Sequence, residues 1–459
     1  MNVGENYGTM QLTSDVTHSL FSMRILPLAF VLITLFCVPG FTAEPLKPED
    51  LAAEIEDVFN AGLKLWYPAS VDPRGGFHST FSSDWKLEPY RTKGLVQQAR
   101  MTWTAAEVAR RRPEWKEQLE PIAKHGIAFL RDKMWDAECG GFYWEIAADG
   151  TPPTANSEMK HAYGISFGIY AAAAVYELTK DDADLQLAKD TFFWLDRFGH
   201  DARNGGYREA FYRDGRPMLT PPQDQPSITT GKVGERLGDK SMNTHIHLLE
   251  AFTVLYKVFP DPTLRSRLEE LLVIIRDRGI TRPAALYQFF TMDWTPAATL
   301  VSFGHDVETA FLLEEAIAVL GRPDDRETLN VCQALVDHSL QFGWDSQNGG
   351  FWHEGATYSA PADRRKVWWV QAEGLNELFF LYRRYGETDM QYGKRFVEQW
   401  GFIKRSMMDA EHGGWFNTVS ESGVHPPGEH SKANQWKTAY HETRALLNVA
   451  DGLKKKNAP

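Results

Sequence analysis

Two apolar patterns alternate along this chain. In the first, apolar residues recur every three to four positions and charges fill the gaps. Leu119, Ile122, Ala123, Ile127 and Leu130 share one side of a helix, set against Lys116, Glu117, Glu120, Lys124 and Arg131. Such a helix packs by one face and belongs on an outer layer. In the second, the apolar character runs all the way round, as in His161 to Tyr176, which holds no Asp, Glu, Lys or Arg. Such a helix is covered on every side. Short breakers join inner to outer segments at Arg112-Pro113, Lys180-Asp181-Asp182, Pro260-Asp261-Pro262, Gly321-Arg322-Pro323 and Gly386-Glu387-Thr388.

The outer segments are followed by a recurring phrase: Asp, a few residues, Gly-Gly, then an aromatic. It occurs at Asp72 to Phe77, Asp136 to Phe142, Asp201 to Tyr207, Asp345 to Phe351 and Asp409 to Trp415. The second glycines fall at 76, 141, 206, 350 and 414, so the spacings are 65, 65, 144 and 64 residues. The long interval is two periods with an insertion, which places a degenerate copy near Leu286 to Trp294 and makes six units. Six inner and six outer helices describe an all-α closed toroid, the (α/α)6 barrel. Inner helices are predicted to begin near Lys93, Met159, Met242, His305, Lys366 and Asn434. The longer glycine-bearing loops, predicted as short β-hairpins, fall at that same end, so function is expected there.

Polar residues at helical spacing mark those helix starts. Asn243, His247 and Glu250 follow at i, i+4 and i+7, on one face of an otherwise apolar helix. His245 and His247 point about 200° apart and would not share a ligand. Arg100 lies with Gln97 and Trp103 on an inner helix, where a buried guanidinium needs a carboxylate partner or a substrate oxygen. Tyr163, the pair His305 and Glu308, the tandem Trp368 and Trp369 with Glu373, and the run Trp436, His441, Arg444 occupy the other starts. His305 beside Glu308 is expected to have its tautomer fixed by that carboxylate. The tandem indoles suggest a platform for sugar rings.

The 459 residues are 43% hydrophobic, enough for a large core, and the repeat makes 44–459 one domain rather than the several that length suggests. A formal net charge of -12 with no basic stretch excludes nucleic acid as a partner. Met23 and Arg24 precede the uncharged run Ile25 to Val38, with Gly40 and Ala43 following. That is the order of a secretory signal, so 1–43 is expected to be a leader directing export to the periplasm or outside the cell. The run is short for a span, so membrane association is expected only if the signal stays uncleaved. Cys139 and Cys332 would then be the remaining cysteines, too few for a disulfide framework.

Three histidines at the mouths of three inner helices suit proton transfer near neutral pH. Two on opposite sides of one carbon form an acid and base pair, and a three-histidine zinc site is the plainer alternative.

These motifs resemble the N-acylglucosamine 2-epimerase family, most closely its cellobiose 2-epimerase branch. The resemblance rests on Asn243 to Ala251 (NTHIHLLEA), Gly304 to Glu308 (GHDVE), Trp368 to Glu373 (WWVQAE) and Trp436 to Arg444 (WKxxYHxxR). Gly205 to Phe211 and Ala99 to Trp103 agree, and the likeness spans roughly Pro48 to Asp451. It implies an (α/α)6 barrel that epimerises or isomerises a reducing sugar without metal or cofactor; a monomer or homodimer is expected. It implies that His305 and His441 exchange the proton on C2 of the open-chain aldose, assisted by His247, Arg100 and Glu308. Asn243, Tyr163, Glu250, Trp369, Glu373, Trp436 and Arg444 would bind the sugar. Thr438-Ala439 and Glu442-Thr443 depart from that branch and bear on substrate. Cellobiose, another glucose or mannose unit, or an N-acyl hexosamine are the candidate substrates.

Two other activities compete. An aldose–ketose isomerase returns the proton to C1. An inverting glycosidase uses two carboxylates about 6.5–9.5 Å apart, for which Glu250, Glu308 and Glu373 are candidates. A non-catalytic sugar-binding protein is the remaining reading.

Overall fold

The computed structural model describes residues 47–456, apart from 156, 283, 360 and 427–430. The expected leader and signal segment, 1–43, lies outside the described residues. Twelve α-helices fall among them: α1 (Ala52–Trp66), α2 (Leu95–Arg111), α3 (Pro113–Phe129), α4 (Ala162–Thr179), α5 (Asp182–Gly199) and α6 (Met242–Val258). They continue as α7 (Pro262–Asp277), α8 (Phe303–Val319), α9 (Arg326–Phe342), α10 (Trp368–Tyr385), α11 (Gln391–Phe402) and α12 (Tyr440–Lys456). The even-numbered helices form the inner ring, each packed against the next, and α12 closes the circle against α2. The odd-numbered helices lie outside. Because the first turn phrase follows α1, the outer partner of α12 comes from the start of the chain: α1 packs on α12. The all-α (α/α)6 barrel is therefore closed by its two ends.

Local chemistry sets the helix limits. Asp261 caps α7 by accepting the Thr263 and Leu264 N–H groups, with Pro262 in the first turn where a missing N–H does no harm. Asp181 caps α5 in the same manner, immediately after Lys180 ends α4 in the left-handed conformation. In α4 every residue from Ala162 to Val175 is buried, as an uncharged inner helix requires.

Among the described residues, six antiparallel ribbons of two-residue to three-residue strands ring the mouth. The strand leading into each inner helix pairs with the hairpin of the next unit, as Lys240–Ser241 pairs with Phe289–Phe290. Ser431–Ala433 returns to Phe81–Ser82 and completes the ring. Each entry strand except one carries a buried lysine aimed at the Asp of its own turn phrase. Lys240 Nζ lies 2.9 Å from Asp201 and 2.7 Å from the Gly205 carbonyl, and Lys93, Lys160, Lys366 and Lys432 repeat the arrangement on Asp72, Asp136, Asp345 and Asp409. The glycines are turn residues: Gly206 has φ of 70°, and a Cβ there would meet Trp294 at 2.6 Å.

The fourth unit differs from expectation. Its turn lies at Ile280 to Leu286, earlier than Leu286 to Trp294, with the Ile280–Leu286 bridge matching His200–Tyr207. Thr281 stands where the other units have Asp, and Val301 where they have Lys. Both halves of the ion pair are gone together, so no charge is stranded. The last inner helix also differs. It begins at Tyr440, six residues after Asn434, because Asn434 Oδ1 accepts the Trp436 and Lys437 N–H groups and holds this stretch as a turn. The starts predicted at Lys93, Met159 and Lys366 are two or three residues early, because Lys93 and Lys366 lie in the entry ribbon and Met159 just before it, and α8 begins two residues before His305.

Candidate active site

A cavity of about 460 Å³ opens at the ribbon-ringed end of the barrel. Helix α2 contributes Arg100, α4 Tyr163, α6 Asn243 and His247, α8 His305 and Glu308, and α10 Trp368 and Trp369. Trp436 comes from the turn before α12 and His441 from its first turn. One expected binding residue, Trp436, thus reaches the site from a loop.

Three of the four cavity histidines, His247, His305 and His441, are held alike, by Nδ1. His441 Nδ1 lies 2.6 Å from Glu373, His247 Nδ1 2.8 Å from Glu250, and His305 Nδ1 2.8 Å from the Gln288 side-chain oxygen. In each case an acceptor behind the ring takes the Nδ1 proton. Nε2 is then the ring nitrogen without a partner among the described residues. Trp369 lies against both His305 and His441, with ring centroids 4.9 and 5.9 Å away. Burial, followed by the charges of His247, His353, His441 and Arg100, brings His305 down to about 3. Burial and Arg100 likewise pull His441 well below the ordinary imidazole value, against the Glu308 carboxylate. A proton placed on either Nε2 is held weakly and given up readily.

Arg100 is 4% exposed and has no carboxylate within ion-pair distance among the described residues. It donates to Tyr163 Oη at 3.0 Å and the Trp436 carbonyl at 3.3 Å, it lies over Phe167 and Tyr440, and its buried Nε has no partner. The buried Asn243 Oδ1 is also without a partner. A guanidinium left without an anion inside a low-dielectric pocket is suited to a developing oxyanion.

Glu250, Glu373 and Arg444, expected to bind substrate, do not line the cavity. They stand behind it. Arg444 Nη2 is 2.6 Å from Glu308 and 2.8 Å from Glu373, and its Nη1 meets Glu250 together with Tyr440 Oη. Burial would raise Glu250, but Arg444 and the His247 and Tyr440 hydrogen bonds hold it down to about 2. Burial prevails at Glu373 and raises it. Glu308 does line the cavity, yet its partner is Arg444; the expected pairing with His305 is replaced by Gln288. Although Glu308, Glu373 and His441 converge closely enough to ligate a cation, the Arg444 guanidinium already donates to both carboxyl groups.

His245 points away from the cavity. Its Nδ1 donates to the Ser241 carbonyl at 2.6 Å and its Nε2 accepts the Tyr207 N–H at 3.0 Å, so it ties α6 to the turn phrase. The fourth residue of α2, α8 and α10 does the same through Gln98, Asp306 and Gln371.

The sequence reading missed Gln288, His353 and Asn417, the last two also lining the cavity. All three sit two residues after the residue that ends a turn phrase (Leu286, Phe351, Trp415), where the backbone carbonyl accepts the first N–H of an inner helix. That register could have found them had the fourth copy been aligned on Leu286. Lys232 and Val233 also line the cavity, from the insertion in the third unit. The insertion is fastened by His161, whose Nε2 donates to Glu235 at 2.7 Å while its Nδ1 accepts the Tyr163 N–H.

The sequence profile of the N-acylglucosamine 2-epimerase (GlcNAc 2-epimerase) family matches residues 75–445. A cellobiose 2-epimerase of Bacteroides fragilis is 30% identical over 84% of this chain and 95% of its own length. A D-mannose isomerase of Marinomonas mediterranea is 24% identical over 85% of this chain and 95% of its own. The solved structure of cellobiose 2-epimerase from Spirochaeta thermophila superposes with a TM-score of 0.76 at 30% identity, covering 90% of this chain and 98% of that one.

Proposed function

The chain belongs to the N-acylglucosamine 2-epimerase family, and from that premise we propose that it interconverts the C2 epimers of a reducing glucose or mannose unit by proton exchange at C2. The observation that carries the chemistry is one cavity holding two histidines with bare Nε2 atoms, both against Trp369, and an arginine with no carboxylate within ion-pair distance among the described residues. With the sugar open, the Nε2 of one histidine takes the proton from C2. The C–H electron pair moves into the C1–C2 bond and the carbonyl electrons move onto O1. The enediolate so formed is met by Arg100, His247 and Asn243. The second histidine returns a proton to C2 from the other face, the C1 carbonyl re-forms, and nothing is oxidised or reduced overall. Trp369 and Trp436 supply flat apolar faces for sugar rings.

A disaccharide such as cellobiose is the substrate we favour. The named relatives include cellobiose 2-epimerases, and a cavity of about 460 Å³ extends past the histidines to Lys232 and Val233. A glycosidase reading is disfavoured because Glu250, Glu308 and Glu373 all share the single Arg444 guanidinium. We further propose that residues 1–43 direct export, expected to appear as a secreted chain beginning after Ala43, and that the enzyme is a monomer or homodimer.

The test is proton NMR in D2O with cellobiose, mannobiose, glucose, mannose and N-acetylglucosamine offered separately. Loss of the C2 proton signal with appearance of the epimer is expected. A ketose as main product would instead identify an isomerase, and a shorter sugar a hydrolase. No exchange with any of these sugars would overturn the proposal.

A further inference from the structure

The two catalytic histidine candidates are not held equivalently. His441 is backed by a carboxylate, Glu373, and His305 by a neutral amide, Gln288. The amide cannot turn over without loss, because its Nε2 donates to the Leu286 carbonyl at 3.2 Å and only Oε1 then faces His305. Its backbone is pinned as well, since the Gln288 carbonyl accepts the Met242 N–H at 2.9 Å. An oxygen presented in this way accepts a proton and offers none. Neutral His305 must therefore carry its proton on Nδ1 and expose the Nε2 lone pair.

The groups facing His305 all oppose a second proton on it. They are Arg100 from α2, His247 from α6, His441 from α12 and His353 from the next hairpin. Glu308, one turn along α8, is engaged by Arg444. His305 thus has a neutral amide at Nδ1 where His441 has a carboxyl group.

We propose that Gln288 is a positioning residue that fixes neutral His305 as the Nδ1–H, Nε2-basic imidazole, so that His305 is the base in the direction in which His441 delivers the proton, the two exchanging roles in the reverse direction. This rests on the C2 proton-exchange reading above. The turn that lost the Asp–Lys pair is the one that presents an amide to the histidine of the following helix.

The experiment uses the full chain with 15N-labelled histidine and the variants Gln288→Leu and Gln288→Glu, each checked for wild-type helical circular dichroism. In the wild type, the His305 signals, assigned through His305→Ala, are expected to show a protonated Nδ1 and a bare Nε2 at pH 7. This readout needs no turnover, so it stands whether or not a substrate is found. Gln288→Leu is expected to lose that fixed tautomer and to lower kcat at least tenfold with KM within about twofold. Gln288→Glu is expected to keep the tautomer, restore much of kcat at high pH and move the acid limb of kcat/KM upward by at least one pH unit. The added carboxylate raises the His305 pKa, and activity that needs neutral His305 then disappears at a higher pH as acid is added. An Nε2–H tautomer in the wild type would overturn the proposal, as would unchanged kcat in Gln288→Leu or an unmoved acid limb in Gln288→Glu. Absence of C2 exchange with an intact tautomer would instead count against the epimerase reading alone.

Discussion

A bare imidazole nitrogen is aimed at one atom when the ring is kept from turning, and His247, His305 and His441 are each held by one short bond at Nδ1. His305→Ala and His441→Ala are each expected to lower C2 exchange by roughly 10²–10⁴-fold with an unchanged thermal melt. If either variant turned over near the wild-type rate, that residue would leave the mechanism. Arg100 is a stricter case, since its planar fork already spends one arm on Tyr163 and another on the Trp436 carbonyl. Arg100→Lys keeps the charge and loses the fork. It is expected to cost kcat about 10²–10³-fold, and a change confined to KM would assign Arg100 to ground-state binding. These residues were legible in the sequence because a polar side chain at helical spacing on an apolar helix has few explanations. Gln288 was not, because a single amide in a loop carries no periodicity.

At the scale of the element, the repeating device is a buried Lys–Asp latch between turn phrase and entry strand in five of the six units. The latch is lopsided. Burial pushes the Asp201 carboxyl up, but the Asn204 and Lys240 hydrogen bonds outweigh it and bring it to about 2, whereas burial prevails at Lys240 and lowers the ammonium. The Lys240 ammonium donates to Asp201 and to the Gly205 and Met292 carbonyls, and of these three only Asp201 carries a charge. Asp201→Thr alone strands the ammonium and is expected to destabilise by about 3–5 kcal/mol in urea melts. Adding Lys240→Val reproduces the Thr281 and Val301 pair of the fourth unit and should recover most of the loss. A double variant as unstable as the single one would remove the latch argument. The glycine phrases were legible as register marks, but their lysine partners lie 21 to 39 residues downstream, where no local spacing announces them.

Across the whole molecule these latches set the response to acid. Asp72, Asp136, Asp201, Asp345 and Asp409 all lie below the usual carboxylate range, because hydrogen bonds from lysine and neighbouring donors outweigh burial. A carboxyl depressed in the folded state contributes stability that is complete above the unfolded value near 3.9 and is lost as pH falls through the folded value. Helical circular dichroism is therefore expected to collapse cooperatively between about pH 4 and pH 2. Full helicity retained at pH 2 would show that the ring of latches is dispensable. Closure acts at this scale too, since α1 covers α12 and joins the two ends of a circular array.

What the sequence by itself determined was the periodic part of this protein. Apolar runs of two kinds, breakers between them and a turn phrase about every 65 residues specify six helix pairs and the end at which chemistry collects. Helical spacing also selects the histidines and Arg100, since a face is a local property of a helix. Only the tertiary structure decided which side chains touch across helices. Glu308 faces Arg444 and leaves His305 to Gln288, Glu250 and Glu373 retreat behind the cavity wall, and Trp436 arrives from a turn. Those pairings join residues as far as 194 positions apart, and the closing of the ring, with no local signal, brings them into contact.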